Sequence, residues 1–258
     1  MQYFKLNDGH RIPANGFGDF PIPDTNVCAN AVKDAIKTGY NFIDTAEIYG
    51  NEDQTGKGIK ASGVNRDQLF VESKIWESNF KYNDAKKAID QSLKDLGLSY
   101  VNMFLIHWPH GDYEQAWKAM VEAHQAGKLT SIGVSNFSKQ QIVDLIKTSG
   151  VKPAVNQIKI NPWDQKHEQV KWLEDHNIVP EAWSPFAEGR HNAFHDPTLG
   201  KIAKAHGKSN SQVILRWLYQ RGIVSLAKTV HPQYMKANFD IYSFKLTPDE
   251  MKTINNIK

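Results

Sequence analysis

Eight short apolar runs recur along this chain, each parted from the next by a stretch of helical periodicity, and that alternation limits the fold more than any other feature. The runs are Gly16–Phe20, Asn41–Thr45, Leu69–Ile75, Val101–His107, Thr130–Ser135, Ala154–Ile160, Ile178–Ser184 and Ile223–Ala227. A helix between two strands carries the chain back to its starting end, so strands joined in this way run parallel. Eight such units predict an α/β fold, a (β/α)8 TIM barrel, with an open doubly wound sheet as the second choice because periodicity does not establish closure. Ahead of the units, Tyr3–Leu6 and Arg11–Pro13 flank Asn7-Asp8-Gly9-His10. Asp-Gly is hairpin turn chemistry, and a hairpin here is expected to close the bottom of the barrel. No shift in composition marks a linker, so one barrel domain over residues 1–258 is expected.

Helix boundaries are legible at several places. In the segment 83–97, Ala85, Ala88, Ile89, Leu93 and Leu96 share one face and Gly97 ends the pattern. Tyr113–Ala126 stops at Gly127, and Ser138 is placed to cap Lys139–Lys147. Ser209 or Asn210 can cap Gln212–Gln220, and Thr247-Pro248-Asp249-Glu250 reads as a cap, a first-turn proline and two first-turn acids. The connection from Pro185 to Ile223 is long and predicts an extra helix near Leu199–His206.

Composition narrows the function classes. A net charge of +3, with bases scattered among acids, gives no stripe to follow phosphates, and no nucleic acid is expected as partner. The N-terminus lacks a basic-then-apolar leader and no window is apolar enough to span a bilayer, so a cytoplasmic protein with no membrane partner is expected. A lone cysteine, Cys28, allows no internal disulfide and fits a reducing compartment. His191 and His195 are four apart, but they lie in a polar loop with no third ligand nearby, and no metal is expected.

A barrel of this kind gathers reactive groups at the C-terminal ends of its strands. Asp44, Lys74, His107, Ser135 with Asn136, Gln157 and Trp183 all fall there, and Tyr49 follows Asp44 by five residues. Singly, each has an ordinary structural explanation: a turn-capping acid, a packing aromatic, a solvated lysine, a core histidine. Together they make a proton-delivery set. A ketone that accepts hydride develops negative charge on oxygen and needs a proton donor within hydrogen-bond reach. A neighbouring ammonium favours phenolate, so Lys74 is expected to lower the pKa of Tyr49, while Asp44 keeps Lys74 charged and aimed. His107 would orient the carbonyl oxygen. No Gly-x-Gly-x-x-Gly occurs, which disfavours Rossmann-type dinucleotide binding. Side-chain amides and a stacking aromatic at strand ends can hold a nicotinamide instead, and the turn Ser184-Pro185-Phe186 with Gly189-Arg190 can either wrap a pyrophosphate or be a solvated connection.

Several segments, in order, resemble the aldo-keto reductase family, in particular its bacterial 2,5-diketo-gluconate reductase-like branch. They are IDTAEIYGNE at 43–52, SKIW at 73–76, LIHWP at 105–109, GVSNF at 133–137, VNQ at 155–157, NP at 161–162, AWSP at 182–185 and LAKT at 226–229. The resemblance implies Tyr49 as proton donor, with Lys74, Asp44 and His107 completing a tetrad. It implies that Ser135, Asn136 and Gln157 hold the nicotinamide carboxamide and that Trp183 stacks on the ring. Ser184, Phe186, Lys228, Thr229, Tyr234 and Asn238 complete the cofactor-binding candidates. Phe20, Trp76 and Trp108 are the candidate apolar wall for a small-molecule carbonyl such as an aldehyde, an α-keto aldehyde or a diketone.

Two departures from the family pattern bear on function. Lys228 and Thr229 keep the 2′-phosphate contact of NADPH-preferring members, but Tyr234 replaces the usual arginine and cannot form a charged fork. NADPH is the expected cofactor, with NADH use plausible. Lys159 stands where glutamate is usual; by strand parity it is expected below Gln157, neutralised by Glu181, Glu72 or both. The function expected is therefore NAD(P)H-dependent reduction of aldehydes and ketones by a monomer. A cofactor-binding regulatory subunit on the same barrel is the alternative, and a carboxylate-pair hydrolase is a third reading that no spacing supports.

Overall fold

Strand order supplies the closure that periodicity leaves open. In the computed structural model, which describes residues 2–22 and 25–257, a hairpin of β1 (Tyr3–Lys5) and β2 (Arg11–Pro13) precedes the barrel. The chain then runs through β3 (Asn15–Gly18), α1 (Thr25–Thr38), β4 (Phe42–Asp44), α2 (Glu52–Ser62), β5 (Phe70–Ile75), α3 (Tyr82–Leu96), β6 (Val101–Ile106) and α4 (Tyr113–Gln125). It continues with β7 (Leu129–Ser135), α5 (Lys139–Ser149), β8 (Val155–Lys159), α6 (His167–Asp175) and β9 (Val179–Trp183). After the long connection come α7 (Pro197–His206), α8 (Asn210–Gln220), β10 (Val224–Ala227), α9 (Pro232–Phe239) and α10 (Pro248–Asn255). The eight strands β3 to β10 pair in parallel, and β10 closes against β3, so the sheet is a barrel and the open alternative is excluded.

Local chemistry explains the element ends. Ser138, Ser209 and Thr247 each form a reciprocal capping box, which gives the choice between Ser209 and Asn210 to the serine. The extra helix is present as α7, opened by the Asp196 side chain on the Leu199 amide and by Pro197. Strands end earlier than their apolar runs: β3 stops at Gly18, β6 at Ile106 and β9 at Trp183. Phe20, His107 and Ser184 therefore stand on loops over the barrel mouth, free of the sheet's alternation.

The interior is layered. The bottom is an apolar plug in which Leu6 and Ile12 from the hairpin pack on Phe42, Phe70, Met103, Leu105, Val155, Val224 and Leu226. Asn7 pins the hairpin by donating to the carbonyls of Pro153 (2.8 Å) and Asn177 (3.0 Å). Above the plug the interior turns polar, with Asp44, Glu72, Lys74, Gln157 and Glu181 all buried. Asp19, one residue beyond β3, is buried as well; it accepts from Thr55 Oγ1 at 2.6 Å through Oδ2, while Oδ1 has no hydrogen-bond partner among the described residues.

Two stability predictions follow from this packing. A Cβ on Gly56 in α2 would overlap the Leu96 carbonyl at the end of α3, whereas on Gly200 in α7 it would meet only Asn210 Oδ1 at 3.7 Å. Gly56→Ala is expected to destabilise by about 2–3 kcal/mol, and Gly200→Ala to stabilise by about 0.5–1 kcal/mol, both read from urea denaturation. Burial, reinforced by the Asp44 charge, pushes Asp19 up from 3.8 to about 7. Between those values the unfolded chain has already released a proton that the folded chain keeps, so stability falls as pH rises through the window and stays lower above it. Asp19→Asn removes that loss; its effect on the unfolding free energy should be at least about 1 kcal/mol more favourable at pH 8 than at pH 4, and an effect flat across that range would contradict the assignment.

Candidate active site

Lys74 is wholly buried at the top of β5, and an ammonium so placed must be paired. Its Nζ donates to Asp44 Oδ1 at the end of β4 and to the Thr45 carbonyl at 2.9 Å. Burial alone would lower the Lys74 pKa, but Asp44, Tyr49 and Glu72 together raise it above its ordinary value. The lysine is thus a permanent cation, 5.3 Å from the centre of the Tyr49 ring. Tyr49 ends the 3₁₀ turn Glu47–Tyr49, which Gly50 closes in the left-handed region (φ 67°). The Glu47 carboxylate ties this turn to the loop after β5, accepting from the Trp76 amide at 2.8 Å and from the Asn79 side chain.

The expected lowering of the Tyr49 pKa does not occur. Burial raises it above its ordinary value, and the pull of Lys74 in the other direction is opposed by Asp44 and Asp19. The ammonium is visible in the sequence, whereas the desolvation that comes with the same location is not. His107 sits edge-to-face with Tyr49 (5.7 Å between ring centres) and with Trp76 (5.2 Å). Burial first, and the Lys74 charge second, lower its pKa from 6.5 to about 3. The imidazole is therefore neutral, and its Nδ1 has no hydrogen-bond partner among the described residues.

A second group adjoins the first. Asn136, in the left-handed region (φ 63°) after β7, donates through Nδ2 to the His107 carbonyl (3.1 Å) and to Ser135 Oγ (3.0 Å). Its Oδ1 accepts from Trp183 Nε1 at 2.9 Å, and Ser135 Oγ donates to the Gln157 carbonyl at 2.9 Å. Asn136 thus joins the ends of β6, β7 and β9. Ser184 leaves β9 in the left-handed region (φ 53°) with its Oγ buried and without a hydrogen-bond partner among the described residues, and Phe186 packs on Phe194 at 5.5 Å. Lys228 is exposed just past β10 and forms no ion pair with any described residue; Thr229 Oγ1 accepts from the His231 amide at 3.2 Å. Tyr234 is 56% exposed on α9, edge-on to His231, and Asn238 is buried at the far end of that helix.

Lys159 is not where parity placed it. Residue numbers rise toward the mouth along every barrel strand, so Lys159 lies above Gln157, in register with Trp183, and its Nζ stands 5.7 Å over the Trp183 ring. It makes no ion pair with Glu181 or Glu72. Gln157 meets those acids instead, donating through Nε2 to Glu72 Oε1 at 2.7 Å and to Glu181 Oε1 at 2.5 Å. Asp44, Glu72 and Glu181 lie close enough together to suggest a cation site, but the Lys74 ammonium and the Gln157 amide already occupy the space between them. Asp19 is the member of this cluster absent from the sequence candidates; an acid directly after the first barrel strand is its one signal. His191 stacks flat on Trp163 at 5.0 Å.

Of the candidate wall, Phe20 lies 4.6 Å from the Tyr49 ring and is 57% exposed, and Trp76 covers His107. Trp108 stacks on His110 at 5.7 Å. Phe20 and Trp76 thus flank the reactive pair, and Trp108 pairs with His110.

The donor set fits a nicotinamide nucleotide. At the strand ends it offers the Ser184 hydroxyl and an indole face, and beyond β10 an exposed lysine beside a threonine hydroxyl. Residues 16–258 match the Aldo/keto reductase family. Glyoxal reductase of Bacillus subtilis (strain 168) is 39% identical over 252 residues, covering 97% of this chain and 91% of that protein. The crystal structure of an aldo/keto reductase from Brucella melitensis superposes with a TM-score of 0.95 at 40% identity, covering 100% of this chain and 99% of that one. An aldo-keto reductase from Bombyx mori in complex with NADP superposes with a TM-score of 0.93 at 35% identity, covering 99% of this chain and 92% of the other. The chain belongs to the aldo/keto reductase family and is an NAD(P)H-dependent carbonyl reductase.

Proposed function

We propose that Tyr49 delivers the proton in the reduction of small aldehydes, α-keto aldehydes and diketones, with Lys74, Asp44 and His107 as its partners. One observation carries this reading: a phenol, an ion-paired ammonium and a neutral imidazole meet at the barrel mouth. Bound NADPH supplies the hydride. Neutral His107 can give an N–H to the carbonyl oxygen and stabilise the charge that builds there. Burial keeps Tyr49 in the protonated form that a donor needs. A phenol is also far more acidic than the alcohol being formed, so the transfer runs downhill. Lys74 stabilises the phenolate left behind, and Asp44 holds Lys74 in place.

Ser135, Asn136 and Gln157 hold the nicotinamide carboxamide in this reading, Trp183 stacks on the ring, and Ser184 with Phe186 flanks the pyrophosphate. Lys228 and Thr229 take the 2′-phosphate, with Tyr234 and Asn238 beside the adenosine. Phe20, Trp76 and Trp108 form the substrate wall. The protein acts as a cytoplasmic monomer on small molecules. No helix among the described residues is long and apolar enough to cross a membrane.

Tyr49→Phe should lower kcat for methylglyoxal by about a hundredfold or more while leaving the Kd for NADPH within about threefold; unchanged turnover would remove Tyr49 from the mechanism. Because Tyr234 offers no cationic fork, kcat/KM should favour NADPH over NADH by less than about a thousandfold. Tyr234→Arg should widen that ratio about tenfold, and a ratio that does not move would place the 2′-phosphate elsewhere.

A further inference from the structure

Glu72 and Glu181 are fully buried acids to which the reaction above gives no task. β5 carries Glu72 two residues before Lys74, and β9 carries Glu181 two residues before Trp183, so both lie one layer beneath the reactive groups. Gln157 is in register with Glu181 and spans the pair. An amide nitrogen has two hydrogens, and the short bonds from Gln157 Nε2 to Glu72 and Glu181 use both. Each acid keeps an Oε2 with no hydrogen-bond partner among the described residues, and a carboxylate oxygen of one lies within 4.8 Å of a carboxylate oxygen of the other. Neither forms an ion pair with any described residue. Two ionised carboxylates in that space would repel, and the nearby Lys74 ammonium is already paired with Asp44. One proton between them satisfies both groups and leaves a single negative charge for the Gln157 amide to solvate.

The arrangement removes an ambiguity that glutamine carries everywhere. The two ends of its amide are nearly the same size, and only hydrogen bonding selects which faces which way. Reversing Gln157 would set its carbonyl oxygen against the oxygens of the acid pair. We infer that Glu72 and Glu181, sharing one proton, are positioning residues that lock the Gln157 amide so that Oε1 is presented as the acceptor for the carboxamide N–H of the nicotinamide. This rests on the reading of Gln157 as a carboxamide contact. Among the described residues Oε1 has no protein partner, as an atom reserved for a ligand requires.

The test compares binding of NADPH with binding of the fragment 2′,5′-ADP, which lacks the nicotinamide, by titration calorimetry. Glu72→Leu removes one acceptor and should raise the Kd for NADPH about tenfold, with the Kd for 2′,5′-ADP held within about twofold. Glu72→Gln keeps an acceptor for Gln157 and a donor for Glu181, so it should restore NADPH affinity to within about twofold of wild type. Glu181→Met removes the other acceptor and should repeat the effect of Glu72→Leu. Gln157→Ala separates this inference from the reading beneath it. If Gln157→Ala leaves NADPH affinity unchanged, the carboxamide contact is wrong and the lock falls with it. If Gln157→Ala weakens NADPH while Glu72→Leu and Glu181→Met bind it as wild type does, the lock alone is overturned. Loss of both ligands in both acid variants, unfolding included, would also overturn it, since the pair would then be supporting the barrel and not the amide.

Discussion

The ion pair of Lys74 with Asp44 is the interaction on which the upper half of this barrel depends. An ammonium with no solvent contact is tolerated only if a carboxylate and a carbonyl share its charge, and Asp44 with the Thr45 carbonyl does so. That requirement holds the ends of β4 and β5 together and gives Tyr49 a fixed cation beside its ring. It also sets the protonation of what surrounds it. One buried cation can balance one buried carboxylate, so the remaining acids of the cluster, Asp19, Glu72 and Glu181, all have pKa values raised by burial. The same cation helps keep His107 neutral.

Layering separates stability from chemistry. The apolar plug at the bottom, which the hairpin completes, supplies the burial that holds the strands in register. The polar layer above it contributes little net stability, and for Asp19 it costs some. What that layer supplies is orientation: side chains whose donors and acceptors are already committed cannot rotate. Asn136 shows the same logic at the rim, where one amide joins His107, Ser135 and Trp183.

Much of this was legible in the residue order. The eight units, the hairpin and the caps at Ser138 and Thr247 follow from patterns that act over a few residues, and such patterns survive without knowledge of the partners. The reactive residues were legible for a related reason: a parallel barrel brings its strand ends to one face whatever the helices do, so Asp44, Lys74 and His107 needed only their strands to be recognised. The errors were of another kind. Lys159 was placed beneath Gln157 because parity assigns a face, and direction along the strand must be added to assign a height. Tyr49 was expected to be acidified because a charge is visible in a sequence and desolvation is not. Asp19 was overlooked because its importance comes from Asp44 and Thr55, which are distant in the chain.

The sequence by itself determined the fold class, the strand each reactive residue would end, and the chemistry those residue types permit. These rest on local periodicity and on the direction of parallel strands. Only the tertiary structure decided which acids have raised pKa values, which acids the Gln157 amide meets, and that Lys159 rides on Trp183 clear of the acid pair. Those outcomes turn on burial and on distances of a few ångströms between segments far apart in the chain, and no spacing in the sequence encodes them.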